Sequence, residues 1–285
     1  MQVPEKTINI AINAALIAGQ EIMEVYEHDD FNVEQKSDHS PLTVADKRSH
    51  KAIVDQLEAT GLPILSEEGK AVPYEKRKIW EQFWLIDPLD GTKEFIKRNG
   101  EFTVNIALIE NNRPLVGVIY IPVLQELYFN IPEKSSFKIS KITNGPVKYI
   151  NIENLLPKAE KLPLNQKRKK TVMVGSRSHL SPETNTFFEA LKLQYGDAEI
   201  LSRGSSLKLC MVAEGNADVY PRFGPTMEWD TAAGHAILNE AGFELTGADG
   251  KSPFLYNKEN LLNPWFIVKN NQFNIPSEAL PKLSS

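Results

Sequence analysis

Cysteine is almost missing from this chain: Cys210 is the single thiol in 285 residues. No intramolecular disulfide can form. One thiol and five scattered histidines cannot build a zinc cluster, and His-Glu-x-x-His is absent. Such a chain fits a reducing compartment. Long apolar runs are missing too, with none reaching 18 residues, and no basic stretch followed by an apolar core stands at the N-terminus. The expected location is cytoplasmic with no transmembrane segment, while peripheral attachment to the cytoplasmic face of the inner membrane stays open. Positive charge is not in excess. The formal net charge of −5 argues against a nucleic-acid polymer as partner. Metal ions and a few local cations can still build an anion site in an acidic chain.

Hydrophobic residues make up 41% and charged residues 24%, proportions of a soluble globular protein whose length allows one large domain or two ordinary ones. Ile8, Ala11, Ile12, Ala15, Leu16, Ile22 and Val25 recur at helical spacing and predict an amphipathic helix over residues 5–26. A second helix carries Ile53, Val54 and Leu57, has Asp46 near its first turn and ends at Gly61. Ile64 and Leu65 begin a short strand leading into Ser66-Glu67-Glu68-Gly69. Residues 102–109, 114–122 and 126–131 read as three strands with short connections, an antiparallel meander. Residues 132–170 look less regular and end in the basic run 167–170, read as a solvated connector. The domain boundary is placed there, giving 1–168 and 169–285. The second part alternates strands near 171–174, 199–201, 218–220, 243–245 and 265–268 with helices near 182–194, 207–212 and 231–241, an α/β pattern.

Residues 84–95, Trp-Leu-Ile-Asp-Pro-Leu-Asp-Gly-Thr-Lys-Glu-Phe, carry the most chemistry. The apolar run Phe83 to Ile86 predicts a buried strand that stops at Asp87, with Asp90 three residues on. Pro88 fixes a backbone angle between them, and Gly91 permits the close turn that Thr92 completes. Two hard oxygen ligands in one loop suit Mg²⁺, and the following residues can open a helix whose N–H groups face an anion. The same letters also describe an ordinary Asp-Pro-x-Asp-Gly surface turn. An EF-hand is a poor match, because Leu89 and Gly91 stand where oxygen side chains are wanted.

Other acids fall at element ends. Glu67 follows a strand, and Asp230 opens a helix after Trp229. Taken singly, Glu67-Glu68 is an exposed acidic turn and Asp230 a helix cap. Together with Asp87 and Asp90 they suit a site for paired metal ions performing in-line displacement at phosphorus. Thr92 and Asp46 are the candidate hydroxyl–carboxylate pair that orients and deprotonates water.

At this point the residues resemble a known family. Glu67-Glu68, Asp87-Pro-Leu-Asp-Gly-Thr92 and Trp229-Asp-Thr-Ala-Ala-Gly234 are similar, in order and spacing, to the signatures of the inositol monophosphatase superfamily, Mg²⁺-dependent and often lithium-sensitive phosphatases. The resemblance implies an α+β half followed by an α/β half in a five-layered αβαβα sandwich, with two or three Mg²⁺ ions between them. It implies Glu67, Asp87 and the Leu89 carbonyl as ligands of one metal, and Asp87, Asp90 and Asp230 as ligands of a second. It makes Thr92 with Asp46 the water-activating pair, and turns the Gly91 and Thr92 N–H groups to the phosphate.

Gly175-Ser-Arg-Ser-His179, Gly204-Ser-Ser-Leu-Lys208 and Asp218-Val-Tyr-Pro-Arg222 resemble the 3′(2′),5′-bisphosphate nucleotidase branch of that superfamily. That branch removes the 3′-phosphate of adenosine 3′,5′-bisphosphate, in sulfur metabolism. The implied nucleotide contacts are His179, Ser205, Lys208 and Arg222. A bisphosphate carries a second anion that the metals leave untouched, and Lys208 and Arg222 can neutralise it. Each also has a plainer reading, Lys208 on a helix surface, Arg222 in an ion pair and His179 as a helix cap. Inositol monophosphate or a sugar bisphosphate is the alternative substrate, with Glu228 as an acidic acceptor for hydroxyls. A non-catalytic nucleotide sensor and a structural calcium binder are alternatives of other classes. Monomer and homodimer both remain open.

Overall fold

The computed structural model describes residues 3–28, 34–35, 41–142, 149–164, 168, 170–176, 181–196 and 198–281. Helix α1 (Glu5–Tyr26) buries the stripe that its periodicity announces, from Ile8 to Val25. By length and composition it is the one helix among the described residues that could cross a membrane, but its apolar side is spent on the protein core. Strands β1 (Glu34–Gln35) and β2 (Pro41–Leu42) pair antiparallel. Helix α2 (Val44–Leu57) opens on a Thr43 cap and closes through a 3₁₀ turn onto Gly61, whose φ of 70° is the left-handed stop that glycine allows.

Strand β3 (Ile64–Ser66), short helix α3 (Tyr74–Arg77), strand β4 (Gln82–Asp90) and short helix α4 (Thr92–Ile96) follow. The expected meander is β5 (Thr103–Glu110), β6 (Arg113–Ile121) and β7 (Glu126–Ile131). It continues through the expected irregular stretch as β8 (Ser135–Ile139), helix α5 (Ile152–Leu155) and β9 (Glu160–Lys161). Ser135 and Ser136 start β8, so the apolar alternation that marks a strand is diluted there. These strands form one sheet in the order β3-β4-β5-β6-β7-β8-β9, parallel only between β3 and β4.

Strand β10 (Val172–Ser176), helix α6 (Pro182–Tyr195), β11 (Glu199–Arg203), helix α7 (Leu207–Ala213), β12 (Val219–Arg222), helix α8 (Glu228–Glu240), β13 (Phe243–Gly247) and β14 (Phe266–Asn270) complete the chain. They add a second sheet, ordered β11-β10-β12-β14-β13. Part of the basic run corrects its reading as a solvated connector. Arg168 grips Asp218 with two nitrogens, at 2.9 and 2.7 Å, because a partly buried carboxylate at the mouth of β12 favours a forked donor.

Period-two alternation sorts the first sheet's side chains into two cores. Trp84 and Ile86 join Ile8, Ile12 and Leu16 of α1, while Phe83 and Leu85 join Leu209 of α7 and Ala233 and Ile237 of α8. The second sheet repeats the trick. Val172, Val174, Phe266 and Val268 face the shared middle core, and Met173, Val219 and Ile267 face Phe187, Phe188 and Leu191 of α6. The result is five layers, helix–sheet–helix–sheet–helix. Contact between the layers is intimate at Gly117 of β6, where an added Cβ would stand 2.1 Å from the Ala233 carbonyl oxygen of α8.

Candidate active site

Each acid reaches the middle of the molecule by a different local device. Asp46 is the third residue of α2, and one of its oxygens caps that helix, accepting from the Thr43 N–H at 2.7 Å and the Thr43 hydroxyl at 2.6 Å. Its other oxygen accepts the Thr92 hydroxyl at 3.2 Å. A helix cap has thereby delivered the carboxylate to the Thr92 hydroxyl. Ser49, one turn on, donates to the Pro88 carbonyl at 2.6 Å and ties α2 to the loop.

Asp87 and Asp90 do not follow the end of a strand, as the sequence led us to expect. β4 continues to Asp90, with Asp87 opposite Asn105 and Asp90 opposite Thr103. Three steps on β4 match two on β5, so the strand bulges by one residue. Without the bulge, residues three apart would face opposite sides; with it, both carboxylates take one side. Pro88 sits comfortably in the bulge because it has no N–H to pair. Gly91 then turns with φ of 97°, and an added Cβ would stand 3.0 Å from the Glu101 carbonyl oxygen. Thr92 opens α4, its hydroxyl also 3.4 Å from the Leu89 carbonyl oxygen.

Glu67 directly follows β3, its N–H bonded to the Ile86 carbonyl at 3.2 Å. His50 of α2 meets the neighbouring Ser66 hydroxyl at 2.9 Å. Asp230 stands third in α8, not at its cap, and accepts the Met227 N–H at 2.8 Å.

The acids crowd one another electrostatically. Burial pushes the Asp87 carboxyl well above the usual carboxylate range, and the charges of Glu67, Asp90 and Asp230 push it the same way. Burial and then Asp90 do the same to Asp230. Asp90 is raised by burial but held back by Lys208 and by its bond from Ser206. Among the described residues no three acid, histidine or cysteine side chains already close round one point. What they share is mutual repulsion, which a hard divalent cation relieves, and an all-oxygen donor set suits Mg²⁺ rather than a soft metal.

The adjoining cavity brings together Asp90, Gly91, Ser205, Lys208, Arg222 and Asp230. Lys208 is buried, donates to the carbonyls of Ser205 at 2.5 Å and Arg203 at 3.3 Å, and lies 5.6 Å from the Tyr220 ring centre. Burial and the Arg222 charge lower its pKa to about 8, against the pull of Asp90. Arg222 donates to the Pro225 carbonyl at 2.8 Å. Its buried Nε and the buried Ser205 Oγ have no hydrogen-bond partner among the described residues, and buried donors left so point to a ligand. His179 lies outside the described residues. Glu228 is fully buried and consumed by the Asn257 N–H at 2.6 Å, the Lys258 N–H at 3.0 Å and the Lys258 ammonium at 2.5 Å.

Sequence reading missed Ser206, Asn105 and Glu101. Ser206 and Asn105 hold Asp90, and Glu101 accepts the Gly204 N–H at 2.7 Å. Asn105 left a signal, a carboxamide inside the otherwise apolar strand Val104 to Ile109.

A family model described as the inositol monophosphatase family matches residues 3–274. A curated protein of Escherichia coli K12, named 3′(2′),5′-bisphosphate nucleotidase CysQ, is 44% identical over 254 residues, covering 88% of this chain and 94% of its own. Among solved structures, CysQ from Bacteroides thetaiotaomicron is 51% identical, covers 94% of this chain and 98% of its own, and superposes with a TM-score of 0.87. An IMPase of Thermotoga maritima shares the fold at 24% identity and a TM-score of 0.68, over 93% of this chain and 92% of its own. Signatures, layers and matches over almost the whole length agree, and the chain belongs to the inositol monophosphatase family.

Proposed function

We propose that this protein is a Mg²⁺-dependent phosphomonoesterase that converts adenosine 3′,5′-bisphosphate to AMP and phosphate in the cytoplasm, and that also accepts the sulfated relative, 3′-phosphoadenylyl sulfate. The observation that carries the reading is the Thr92 hydroxyl donating to Asp46 at 3.2 Å beside a set of mutually repelling buried carboxylates. Glu67, Asp87 and the Leu89 carbonyl would hold one ion, and Asp87, Asp90 and Asp230 another. When bound there, Mg²⁺ supplies charge neutralisation for the phosphate and a more acidic attacking water.

The residues of the chain do the rest. Thr92 passes its proton toward Asp46 as it takes one from the water, and the Gly91 turn opens α4 with no side-chain cap among the described residues, which turns the Thr92 N–H to phosphate oxygens. The water attacks phosphorus in line as the bond to the 3′-oxygen breaks, and that oxygen leaves with AMP and takes up a proton from solvent. Ser205 Oγ and Arg222 Nε, both without partners among the described residues, suit the 5′-phosphate, with Lys208 adding charge from behind the loop. The engagement of Glu228 supports a nucleotide over inositol, since the acidic acceptor for ring hydroxyls is spent on Asn257 and Lys258.

Phosphate release measured side by side from adenosine 3′,5′-bisphosphate and inositol 1-phosphate tests the reading. We expect strong preference for the nucleotide, dependent on Mg²⁺ and abolished by chelation. Preference for inositol phosphate would overturn the roles of Ser205, Lys208 and Arg222, and release from neither would overturn the enzyme.

A further inference from the structure

Asp90 is held by a chain of hydrogen bonds whose members come from both sheets' neighbourhoods. Ser206 Oγ stands 2.9 Å from Asp90 Oδ2, Asn105 Nδ2 donates to Ser206 Oγ at 2.9 Å, and Thr103 Oγ1 donates to Asn105 Oδ1 at 2.9 Å. All three holders are buried. Chemistry fixes the direction of the chain. Ser206 faces two acceptors at 2.9 Å, Asp90 Oδ2 and the Asp230 carbonyl oxygen, and has one proton for both. An ionised carboxylate is the stronger acceptor, so the proton turns to Asp90. The remaining lone pair of Ser206 must then meet a donor, which places the Asn105 nitrogen toward it. The same nitrogen lies 3.4 Å from Asp90 Oδ2, and the Asn105 oxygen is left to take the Thr103 proton. Every group in the chain is satisfied in one direction only.

Ser206 is also the next residue after Ser205, whose left-handed φ of 40° and buried hydroxyl, without a partner among the described residues, mark the second-phosphate pocket. The loop is pinned at its start by Gly204, whose N–H donates to Glu101. Two consecutive serines therefore look in two directions, one toward substrate and one toward a metal ligand.

We propose that Ser206 is a positioning residue that couples the two sites: it fixes Asp90 Oδ2, leaves the other Asp90 oxygen to the cation, and makes nucleotide and divalent cation bind cooperatively. The inference rests on the metal-site reading above. Linkage requires the coupling to be reciprocal. Loss of an outer partner of a metal ligand weakens metal binding about 10- to 100-fold.

The test is calorimetric binding of Mn²⁺ to the full chain, stripped of metal, with and without AMP, for the wild type and for Ser206→Ala, Ser206→Cys and Ser206→Thr. Cysteine fills the space with a poor donor; threonine keeps the hydroxyl. In the wild type we expect AMP to tighten Mn²⁺ binding several-fold. Ser206→Ala and Ser206→Cys should weaken Mn²⁺ about tenfold or more and lose the AMP enhancement, whereas Ser206→Thr should keep both. If the alanine variant does not fold, the cysteine–threonine pair decides. Wild-type behaviour in Ser206→Cys would overturn the coupling while leaving the metal site standing. A wild type that binds no Mn²⁺ would overturn both.

Discussion

Thr92 and Asp46 are separated by 46 positions, and only the folded chain could show that one oxygen of Asp46 is left over from capping α2. That division of labour makes a sharp expectation. Thr92→Ala should lower turnover about 10²- to 10⁴-fold, the usual worth of a positioned proton acceptor path, with thermal stability nearly unchanged; Thr92→Ser should recover most of the rate. Equal loss in both variants would show that the methyl group, not the hydroxyl, matters. Arg222 belongs to a different task. Its Nε has no partner among the described residues, so Arg222→Ala should raise KM for adenosine 3′,5′-bisphosphate about 10- to 100-fold, a charged hydrogen bond's worth, and leave 3′-AMP hydrolysis almost as it was. Arg222→Lys should recover little, because a point charge does not replace a forked donor. Parallel losses on both substrates would move Arg222 from the second phosphate to the scissile one. The acids and Thr92 could be singled out because each stands at the end of an apolar run or in the first turn of a helix, where a change of pattern shows in the sequence. Ser206 was not, since a serine before a helix reads as a cap, and its bonds to Asp90 and to the Asp230 carbonyl exist only across the middle layer.

Elements were read from periodicity, and periodicity serves well where one face is buried. α1, the β5–β7 meander and α6 lie where their apolar spacing put them. It failed where a strand opens on polar residues, as β8 does at Ser135 and Ser136, and where a strand bends instead of ending, as in β4 at Asp87. A bulge has no periodic signature; Pro88 hinted only at an interruption. A close approach between elements was equally silent. Gly117 of β6 reads as an ordinary weak point in a strand, yet the α8 backbone presses on it. Gly117→Ala must push α8 away from the first sheet, and α8 carries Asp230 one turn before Ala233. We expect a loss of about 3 kcal/mol in urea unfolding, the upper end of overpacking costs, together with weaker Mg²⁺ activation. A stable variant with wild-type Mg²⁺ dependence would mean that α8 yields there without moving Asp230.

At the scale of the whole molecule the middle layer dominates. Its core draws on both sheets and on α7 and α8, so we propose the division into 1–168 and 169–285 as one of topology, and expect neither piece expressed alone to unfold cooperatively. The same layer holds an ionisable group whose chemistry works against it. His235 of α8 is buried against Phe254, with Nδ1 3.0 Å from the Tyr256 hydroxyl, and burial, helped by the Arg113 charge, lowers its pKa to about 3. In the unfolded chain a histidine takes its proton near pH 6.5. Between those values the unfolded state binds the proton and the native state does not, so stability falls as pH falls, by about 1.4 kcal/mol per unit well inside the window. His235→Asn can keep a polar group facing Tyr256 without the titration. Between pH 7 and pH 5 the wild type should therefore lose about 2 kcal/mol more than the variant, from the same linkage. Taking the difference cancels the buried carboxylates, which titrate in both proteins with the opposite sign. Urea unfolding of the two proteins at half-unit steps measures it directly. Parallel curves would mean that His235 keeps an ordinary pKa in the fold, and hence that the layer between the sheets admits water at α8.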